Sequence, residues 1–224
     1  MKLLIAITSC ENDEQRGFND PIRETWLPEA VSLGIPYKFF HGTGSTPKDD
    51  VIILDCLDDY LHVTGKLRGK MQWALAQGYD YLFSAGTDTY AQPGRVLTCG
   101  FEKYDCFGAV FNHWSYEDRI LVHPDAGVFL SHRAMELVAN DLTPVASVEG
   151  PIDATAVDAC AWLGQALTRA GIKPEHSEDF CIFAHDGPRV GNTVIANHLS
   201  LTDPDRKYKP EQMYQKHREW LEGK

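Results

Sequence analysis

The chain is predicted to form one α/β domain built on a mostly parallel sheet. Short runs rich in β-branched and aromatic residues alternate with stretches of helical periodicity, which is typical of this class. A length of 224 residues suits one domain with a sizeable core, and 43% hydrophobic with 11% aromatic residues excludes wholesale disorder. The sequence has no internal repeat, low-complexity tract or linker, so we expect one domain over residues 1–224, in which 205–224 form a C-terminal helical extension.

Seven apolar runs predict the strands of this sheet. The first run begins like a secretory signal, but it is short and is followed at once by Glu11, Asp13 and Glu14, so we interpret it as a buried strand. The seven runs cover residues 3–8, 37–41, 51–54, 79–84, 106–111, 127–131 and 180–184.

Helical periodicity predicts four helices between or after these strands. The clearest covers 59–77, where apolar residues recur at four-residue steps and Gly78 supplies a C-terminal stop. The others cover 131–140, 153–170 and 210–221, and they begin or end at residues that favour helix termini.

The charge balance restricts the partners. Lys and Arg total 21 against 32 Asp and Glu, a net charge of −11, which argues against a broad surface for nucleic acid or anionic membrane. No run approaches the ~18 uncharged apolar residues that a membrane span needs. The 6 cysteines show no Cys-x-x-Cys pair and no clustered Cys/His spacing, so we expect reduced thiols in a cytoplasmic protein and no structural zinc.

The segment 79–93 carries the clearest signal of chemistry. A buried strand runs into a turn of small residues, Asp88 follows the strand, and Pro93 leads a helix. Ligands bind at the carboxyl ends of strands in open α/β sheets, and a carboxylate there can hold Mg²⁺ or Mn²⁺, which in turn bind a diphosphate. Asp88 is therefore a candidate metal ligand. The alternative is that Asp88 only caps the turn before the Pro93 helix.

Motifs in a fixed order over residues 3 to 200 add a resemblance. They are Leu3-Leu4-Ile5-Ala6-Ile7-Thr8-Ser9 with Arg16, Ile22-Arg23-Glu24-Thr25-Trp26, Asp50 to Asp55 followed by Asp58-Asp59-Tyr60-Leu61 with Thr64, Lys66 and Trp73, Asp88-Thr89-Tyr90, and Ala126-Gly127-Val128-Phe129-Leu130-Ser131. In these motifs the chain resembles glycosyltransferase family 31, the β-1,3-galactosyltransferase and Fringe-like group. The resemblance implies a GT-A fold, which is a Rossmann-like, mostly parallel mixed sheet flanked by helices in a single domain. It also implies inverting transfer of a hexose from a UDP-sugar to a hydroxyl, with Mn²⁺ or Mg²⁺.

The resemblance and the strand-end positions together suggest site residues. Asp88 and His198 are the expected metal ligands, with His185 as an alternative to His198. The alternative for Arg23 is a surface ion pair with Glu24. The alternative for Lys66 is that it forms a solvated helix face together with Arg68 and Lys70. The candidates on the donor side are Thr8, Ser9, Arg16, Arg23, Asp55, Lys66, Thr87 and Asp88, and those on the acceptor side are Trp114, Ala126 and Gly127.

The chain departs from the family pattern at two places. Gly86-Thr87-Asp88 stands where the family has three consecutive acids, so we expect weaker metal binding, and metal independence stays open. The family's Glu-Asp motif, which supplies the catalytic base at a helix start, has no clean copy. Asp158 is the candidate base, with Asp153 behind it; the alternatives are an exposed helix charge for Asp158 and an N-cap for Asp153.

We therefore expect a soluble bacterial or viral glycosyltransferase that transfers galactose, glucose or N-acetylhexosamine to a glycan or another hydroxyl-bearing acceptor. Three alternatives stay open. The lost acids suggest a non-catalytic nucleotide-sugar or glycan-binding relative, and a phage enzyme that glycosylates a hydroxylated DNA base is a second alternative, against which the acidity counts. Nucleotidyltransferase chemistry on the same type of sheet is the third.

Overall fold

The computed structural model describes residues 1–112, 120–143, 154–181, 194–199 and 208–223. Within these ranges the strands are β1 (Leu3–Thr8), β2 (Tyr37–Thr43), β3 (Val51–Leu57), β4 (Tyr81–Gly86), β5 (Thr89–Ala91), β6 (Cys106–Gly108), β7 (Val110–Asn112), β8 (Ile120–Val122), β9 (Val128–Ser131), β10 (Glu175–His176), β11 (Phe180–Cys181) and β12 (Ala196–His198). The helices are α1 (Glu11–Gln15), α2 (Asp20–Glu24), α3 (Leu27–Ser32), α4 (Val63–Ala76), α5 (Pro93–Thr98), α6 (His132–Ala139), α7 (Ala154–Arg169) and α8 (Pro210–Glu222), with 3₁₀ turns at Tyr60–His62 and Phe101–Lys103.

The central sheet has 7 strands in the order β10-β6-β9-β4-β1-β2-β3. β1 pairs in parallel with β2 and β4, and β2 pairs in parallel with β3, whereas β9 is antiparallel to β4 and β6. The sheet is therefore mixed and mostly parallel, as the sequence predicts. Since β9 is antiparallel to β4, the start of β9 lies at the same sheet edge as the carboxyl ends of β1 and β4.

Helices cover both faces of this sheet. Ile5 and Ile7 of β1 belong to a core cluster that includes residues of α2 and α3, while Leu4 and Ala6 belong to a second cluster with residues of α4, α6 and α7. A strand buried on both faces reads as a continuous apolar run, which is why residues 3–8 carry no polar alternation. None of the helices in the described ranges combines the length and the apolar character that a bilayer-spanning segment needs.

Several predicted elements match the structure closely. The strand over 3–8 is confirmed, and the helix expected over 131–140 is α6, whose N-cap Ser131 accepts a hydrogen bond from the Ala134 N–H at 3.1 Å. The run over 106–111 is two strands, β6 and β7. The chain leaves the sheet at Gly108, whose φ is +153°, and a Cβ there would lie 2.5 Å from the Gly127 carbonyl oxygen. The expected strand beyond Cys181 lies outside the described residues.

Candidate functional site

The candidate site lies where β1 and β4 end. Thr8 and Gly86 are register partners at the ends of these two strands. The Gly86 N–H donates to the Asp125 carbonyl oxygen at 2.9 Å, so the loop before β9 closes against the end of β4. Asp88 is the second residue of the two-residue turn between β4 and β5. Three chain segments thus converge at one sheet edge, the position at which α/β sheets bind ligands.

The structure brings Asp88 and His198 together. β12 pairs antiparallel with β5 so that His198 lies opposite Thr89, and the Leu199 N–H donates to the Asp88 carbonyl oxygen at 2.8 Å. This pairing places the His198 Nε2 atom 3.5 Å from the Asp88 Oδ2 atom, with side chains 7% and 20% exposed. Both predicted metal residues therefore face one point. His185, the alternative, lies outside the described residues.

A second histidine lies beside this pair. The rings of His123 and His198 have their centroids 4.7 Å apart, and the His123 Nδ1 atom is buried without a hydrogen-bond partner. Burial lowers the pKa of His123 well below its ordinary value, and His198 lowers it further, so the ring is neutral. The sequence analysis does not select His123, although this residue directly follows the short strand β8 and so lies at a strand end, as Asp88 does.

The other groups around Asp88 make the site acidic. The Thr87 hydroxyl donates to the Asp13 Oδ2 atom at 3.4 Å. Burial raises the pKa of Asp13, and the Asp88 charge adds to that rise. The Tyr208 hydroxyl is buried without a hydrogen-bond partner, and its pKa is raised by burial first and then by the Asp88 and Asp13 charges. The site therefore carries carboxylates that a bound cation would balance.

The donor set fits a hard divalent cation held by few protein ligands. Among the residues that the structure describes, no three His, Cys, Asp or Glu side chains form a metal-binding group. Asp88 and His198 supply one carboxylate and one imidazole, both of which Mn²⁺ accepts as ligands, and the buried unpartnered nitrogen of His123 lies next to them. A cation here would take its remaining ligands from diphosphate oxygens and water.

Lys66 is a buried structural cation and not part of a solvated helix face. Its Nζ atom donates to the Ser9 carbonyl oxygen at 2.8 Å and lies 2.6 Å from the Asp58 Oδ1 atom. Asp58 also accepts from the Gly42 N–H at 2.6 Å, and these bonds lower the pKa of Asp58 against its partial burial, which would raise it. The pair therefore ties together the ends of β1, β2 and β3. Ser9, a predicted donor residue, is held by this arrangement.

Lys70 is also buried, one helical turn beyond Lys66. Burial lowers the pKa of Lys70 to about 8, and the Asp125 charge opposes that shift. The third basic residue of this stretch, Arg68, donates to the Ala139 carbonyl oxygen at 3.4 Å and ties α4 to α6. Of the three basic residues on α4, Lys66 and Lys70 therefore lie against the strands, and Arg68 contacts α6.

The two predicted arginines have different surroundings. The Arg23 guanidinium bonds to Glu14 at 2.8 Å, Asp50 at 2.8 Å and Asp20 at 3.3 Å. The structure thus gives Arg23 an ion-pair role, but with these three carboxylates as partners in place of Glu24. Arg16 is exposed and lies over the Phe18 ring, with 4.2 Å between the guanidinium carbon and the ring centroid.

Arg16 borders the candidate site through an aromatic contact. The Phe18 ring packs edge-on against Tyr208 with 5.4 Å between centroids, and Tyr208 interacts electrostatically with Asp88. Asp55 is exposed on the edge strand β3, three residues before Asp58. Arg16 therefore stays a better placed donor-side candidate than Asp55 or Arg23.

The predicted acceptor and base residues are described in part. Ala126 and Gly127 directly precede β9. Gly127 has φ of +105°, and a Cβ there would lie 3.0 Å from the Phe180 ring. Position 127 therefore favours glycine both because of its backbone conformation and because there is little space for a side chain. Asp153 and Trp114 lie outside the described residues. Asp158 lies in α7, which confirms the predicted helix, but its side chain is outside the described part.

Comparison with known proteins supports the fold. No family model and no curated protein sequence matches the chain. The chain is similar to the solved structure of a glycosyltransferase involved in the glycosylation of the major capsid of PBCV-1, with a TM-score of 0.54 and 11% identity, covering 96% of this chain and 100% of that one. A protein from Desulfovibrio desulfuricans G20, provisionally named a nucleotide-diphospho-sugar transferase, gives a TM-score of 0.49 and 12% identity over 79% of this chain and 80% of its own.

The sheet order and the similarity to that glycosyltransferase structure define the fold class. The chain has a GT-A-like fold, with a mixed, mostly parallel sheet flanked by helices in a single domain, and the prediction of fold class is confirmed. Membership of glycosyltransferase family 31 in particular stays a prediction.

Proposed function

We propose that this protein is a glycosyltransferase that moves a hexose, namely galactose, glucose or N-acetylhexosamine, from a UDP-sugar to a hydroxyl of a glycan or another biomolecule. The observation that carries the proposal is the 3.5 Å approach of Asp88 and His198 at the strand-end edge of a GT-A-like sheet. These residues come from distant parts of the sequence. The similar solved structure with a TM-score of 0.54 is that of a glycosyltransferase, which agrees with this function.

The charge of the site explains why a cation belongs to this proposal. The Asp13 and Asp88 carboxylates repel each other, and the buried ammonium of Lys66 is already paired with Asp58. A diphosphate brought into such surroundings meets net negative charge. Asp88 and His198 would hold Mn²⁺ or Mg²⁺, and the bound ion would supply a Lewis acid to stabilise charge on the leaving diphosphate.

The chain's own residues bind and orient the two substrates. Thr8, Ser9 and Thr87 line the strand ends where the nucleotide lies, and Arg16 contributes positive charge at the rim. Asp158, or Asp153 behind it, takes the proton of the acceptor hydroxyl as that oxygen bonds to the anomeric carbon and the bond from that carbon to the diphosphate breaks. A single displacement of this kind inverts the anomeric centre. Trp114, Ala126 and Gly127 border the acceptor.

Release of UDP tests the proposal. Purified protein is incubated with a panel of UDP-sugars, with and without Mn²⁺, and UDP is measured as the product of hydrolysis or transfer. We expect release with at least one donor, and its loss in Asp88→Asn. No release with any donor, together with UDP binding that is indifferent to Mn²⁺, would contradict the proposal and favour the non-catalytic binding protein that Gly86 and Thr87 suggest. Release of pyrophosphate from nucleoside triphosphates would indicate a nucleotidyltransferase instead.

A further inference from the structure

The hydroxyl of Tyr208 is a buried polar group at the border of the candidate site. The Tyr208 residue as a whole is partly exposed, whereas its hydroxyl oxygen is buried and forms no hydrogen bond with the residues that the structure describes. The hydroxyl is therefore the inward end of the side chain. A buried hydroxyl without a partner costs free energy, and most buried polar groups in folded proteins are hydrogen-bonded. Packing alone does not explain why a tyrosine stands at this position.

The contacts of α8 hold Tyr208 in place, because this residue lies two positions before the helix begins. α8 is joined to β5 by the hydrogen bond between the Tyr90 hydroxyl and the His217 Nδ1 atom, which are 3.0 Å apart. It is joined to α2 by the Tyr214 hydroxyl, which donates to the Glu24 Oε2 atom. β5 directly follows the turn of the candidate site. The start of α8 is therefore anchored to elements that border this site.

Two segments of the candidate site lie close to Tyr208. Its ring packs edge-on against Phe18, which follows α1, with 5.4 Å between the ring centroids and 78° between the ring planes. Its hydroxyl interacts electrostatically with the carboxylates of Asp88, in the turn after β4, and of Asp13, in α1. Asp13 is itself joined to that turn, because it accepts a hydrogen bond from the Thr87 hydroxyl at 3.4 Å. The Tyr208 hydroxyl therefore lies near the sheet edge at which β1 and β4 end.

The surroundings keep Tyr208 a neutral hydrogen-bond donor. Burial raises the pKa of Tyr208, and the charges of Asp88 and Asp13 raise it further, so the hydroxyl keeps its proton. Ionised carboxylates only accept hydrogen bonds, so a ligand with anionic oxygens finds repulsion and no donor in Asp88 or Asp13. A neutral phenol binds such an oxygen, and a hydrogen bond to an ionised acceptor is stronger than one to a neutral acceptor.

We propose that Tyr208 is a ligand-binding residue whose hydroxyl donates a hydrogen bond to a phosphate oxygen of the bound nucleotide. This inference rests on the proposed function, which brings a nucleotide diphosphate to the ends of β1 and β4. The bond forms on binding and supplies the partner that the described residues do not. The Phe18 ring that packs against Tyr208 also lies 4.2 Å from the guanidinium carbon of Arg16, so a second group suited to phosphate borders the same ring.

Removal of the phenol oxygen tests the role of Tyr208. The affinities for UDP and for uridine, which lacks the phosphates, are measured by titration in the presence of Mn²⁺, and the Tm is measured by circular dichroism. Tyr208→Phe should weaken UDP binding by about 10- to 100-fold, as expected for the loss of a hydrogen bond to a charged group, and leave uridine binding within about twofold. The Tm should equal or exceed that of the wild type, because the variant loses only a buried hydroxyl that has no partner among the described residues.

Tyr214→Phe is the matched control for this experiment. It removes the hydroxyl that donates to Glu24, in the same part of the chain, and should leave the UDP affinity within about twofold of the wild type. Unchanged UDP affinity in Tyr208→Phe would overturn the inference, as would equal losses of affinity for UDP and for uridine. A lower Tm with unchanged UDP affinity would give the hydroxyl a structural role inside the protein instead.

Binding and turnover separate this inference from the proposed function. If the wild type binds UDP and Tyr208→Phe weakens that binding as expected, but no UDP-sugar is turned over, the proposed activity fails and the role of Tyr208 stands. If UDP-sugars are turned over but Tyr208→Phe binds UDP as the wild type does, the inference fails and the activity stands. A wild type that binds no UDP overturns both.

Discussion

Gly164 controls how closely α7, the helix that carries Asp158, packs against β8. An added Cβ at position 164 would lie 1.9 Å from the Ile120 carbonyl oxygen and 2.9 Å from the Ile120 carbonyl carbon. A methyl group needs roughly 3.4 Å from such an oxygen, so α7 and β8 would have to separate by more than about 1 Å. Both contacting atoms belong to backbone, which cannot rotate away. Gly164→Ala therefore forces the two elements apart.

The magnitude follows from two opposing terms. Overpacking of a rigid contact costs about 3 kcal/mol, the upper end of the usual range, while alanine gains about 1 kcal/mol over glycine in a helix. We expect a net destabilisation of about 2 kcal/mol, which in a chain of this size lowers the Tm by roughly 4–8 °C. Urea unfolding followed by circular dichroism measures the free energy of unfolding directly.

Gly65→Ala is the matched control for this prediction. Gly65 lies in α4, and its added Cβ would meet the Cys56 Cβ at 3.4 Å, an ordinary van der Waals distance. The same substitution should therefore leave stability unchanged or raise it by about 0.5–1 kcal/mol. Equal effects of Gly164→Ala and Gly65→Ala, or a Gly164→Ala protein as stable as the wild type, would refute the packing of α7 on β8.

Three further predictions concern the base, one buried histidine and one buried ion pair. Asp158→Asn should lower turnover by about 10²–10⁴-fold and leave donor affinity unchanged, as measured by steady-state kinetics and UDP titration; the same loss in Asp153→Asn instead would shift the base to Asp153. His41 has both ring nitrogens buried without partners, and burial lowers its pKa. Because the unfolded chain takes up a proton below pH ~6.5 that the folded chain excludes, stability should fall as the pH drops from 7 to 5, and His41→Phe should reduce that fall; an identical pH dependence of the free energy of unfolding in the variant would contradict this. Lys66→Met leaves the Asp58 carboxylate without its buried counter-ion and should cost about 3–5 kcal/mol in urea unfolding, so a cost below about 1 kcal/mol would show that the pair is dispensable.

The sequence predicts the long elements of the fold well and the short ones poorly. The run at 3–8 and the periodicity of α4 reflect burial against many partners, so local pattern and tertiary structure agree. The helices α1, α2 and α3 were not predicted. Two of them, α2 and α3, have a proline in their first turn and at most 6 residues, too few to show periodicity.

The candidate site was predicted only where a motif marked it. Asp88 follows a strongly apolar strand, and His198 follows an apolar stretch, so each could be found by itself. Their proximity depends on the pairing of β5 with β12, two strands of 3 residues that no local pattern encodes.

The two lysines of α4 illustrate the same limit. Lys66 and Lys70 are one helical turn apart, as expected for a solvated basic face, and the sequence offers no local sign of their burial. The structure buries both because Asp58, Thr8 and Ser84 compensate them from other strands. Whether a charge on a helix is buried is decided by its tertiary partners and not by its neighbours in sequence.

Titration of UDP with and without Mn²⁺, in the wild type and in Asp88→Ala, tests the central claim most directly. We propose that Asp88 and His198 bind the cation that would connect the protein to the diphosphate. Mn²⁺ should therefore raise the affinity of the wild type for UDP by about tenfold or more, and Asp88→Ala should remove that gain while its circular dichroism spectrum stays that of the wild type. The same Mn²⁺ response in the wild type and in Asp88→Ala would contradict the account and place the cation elsewhere.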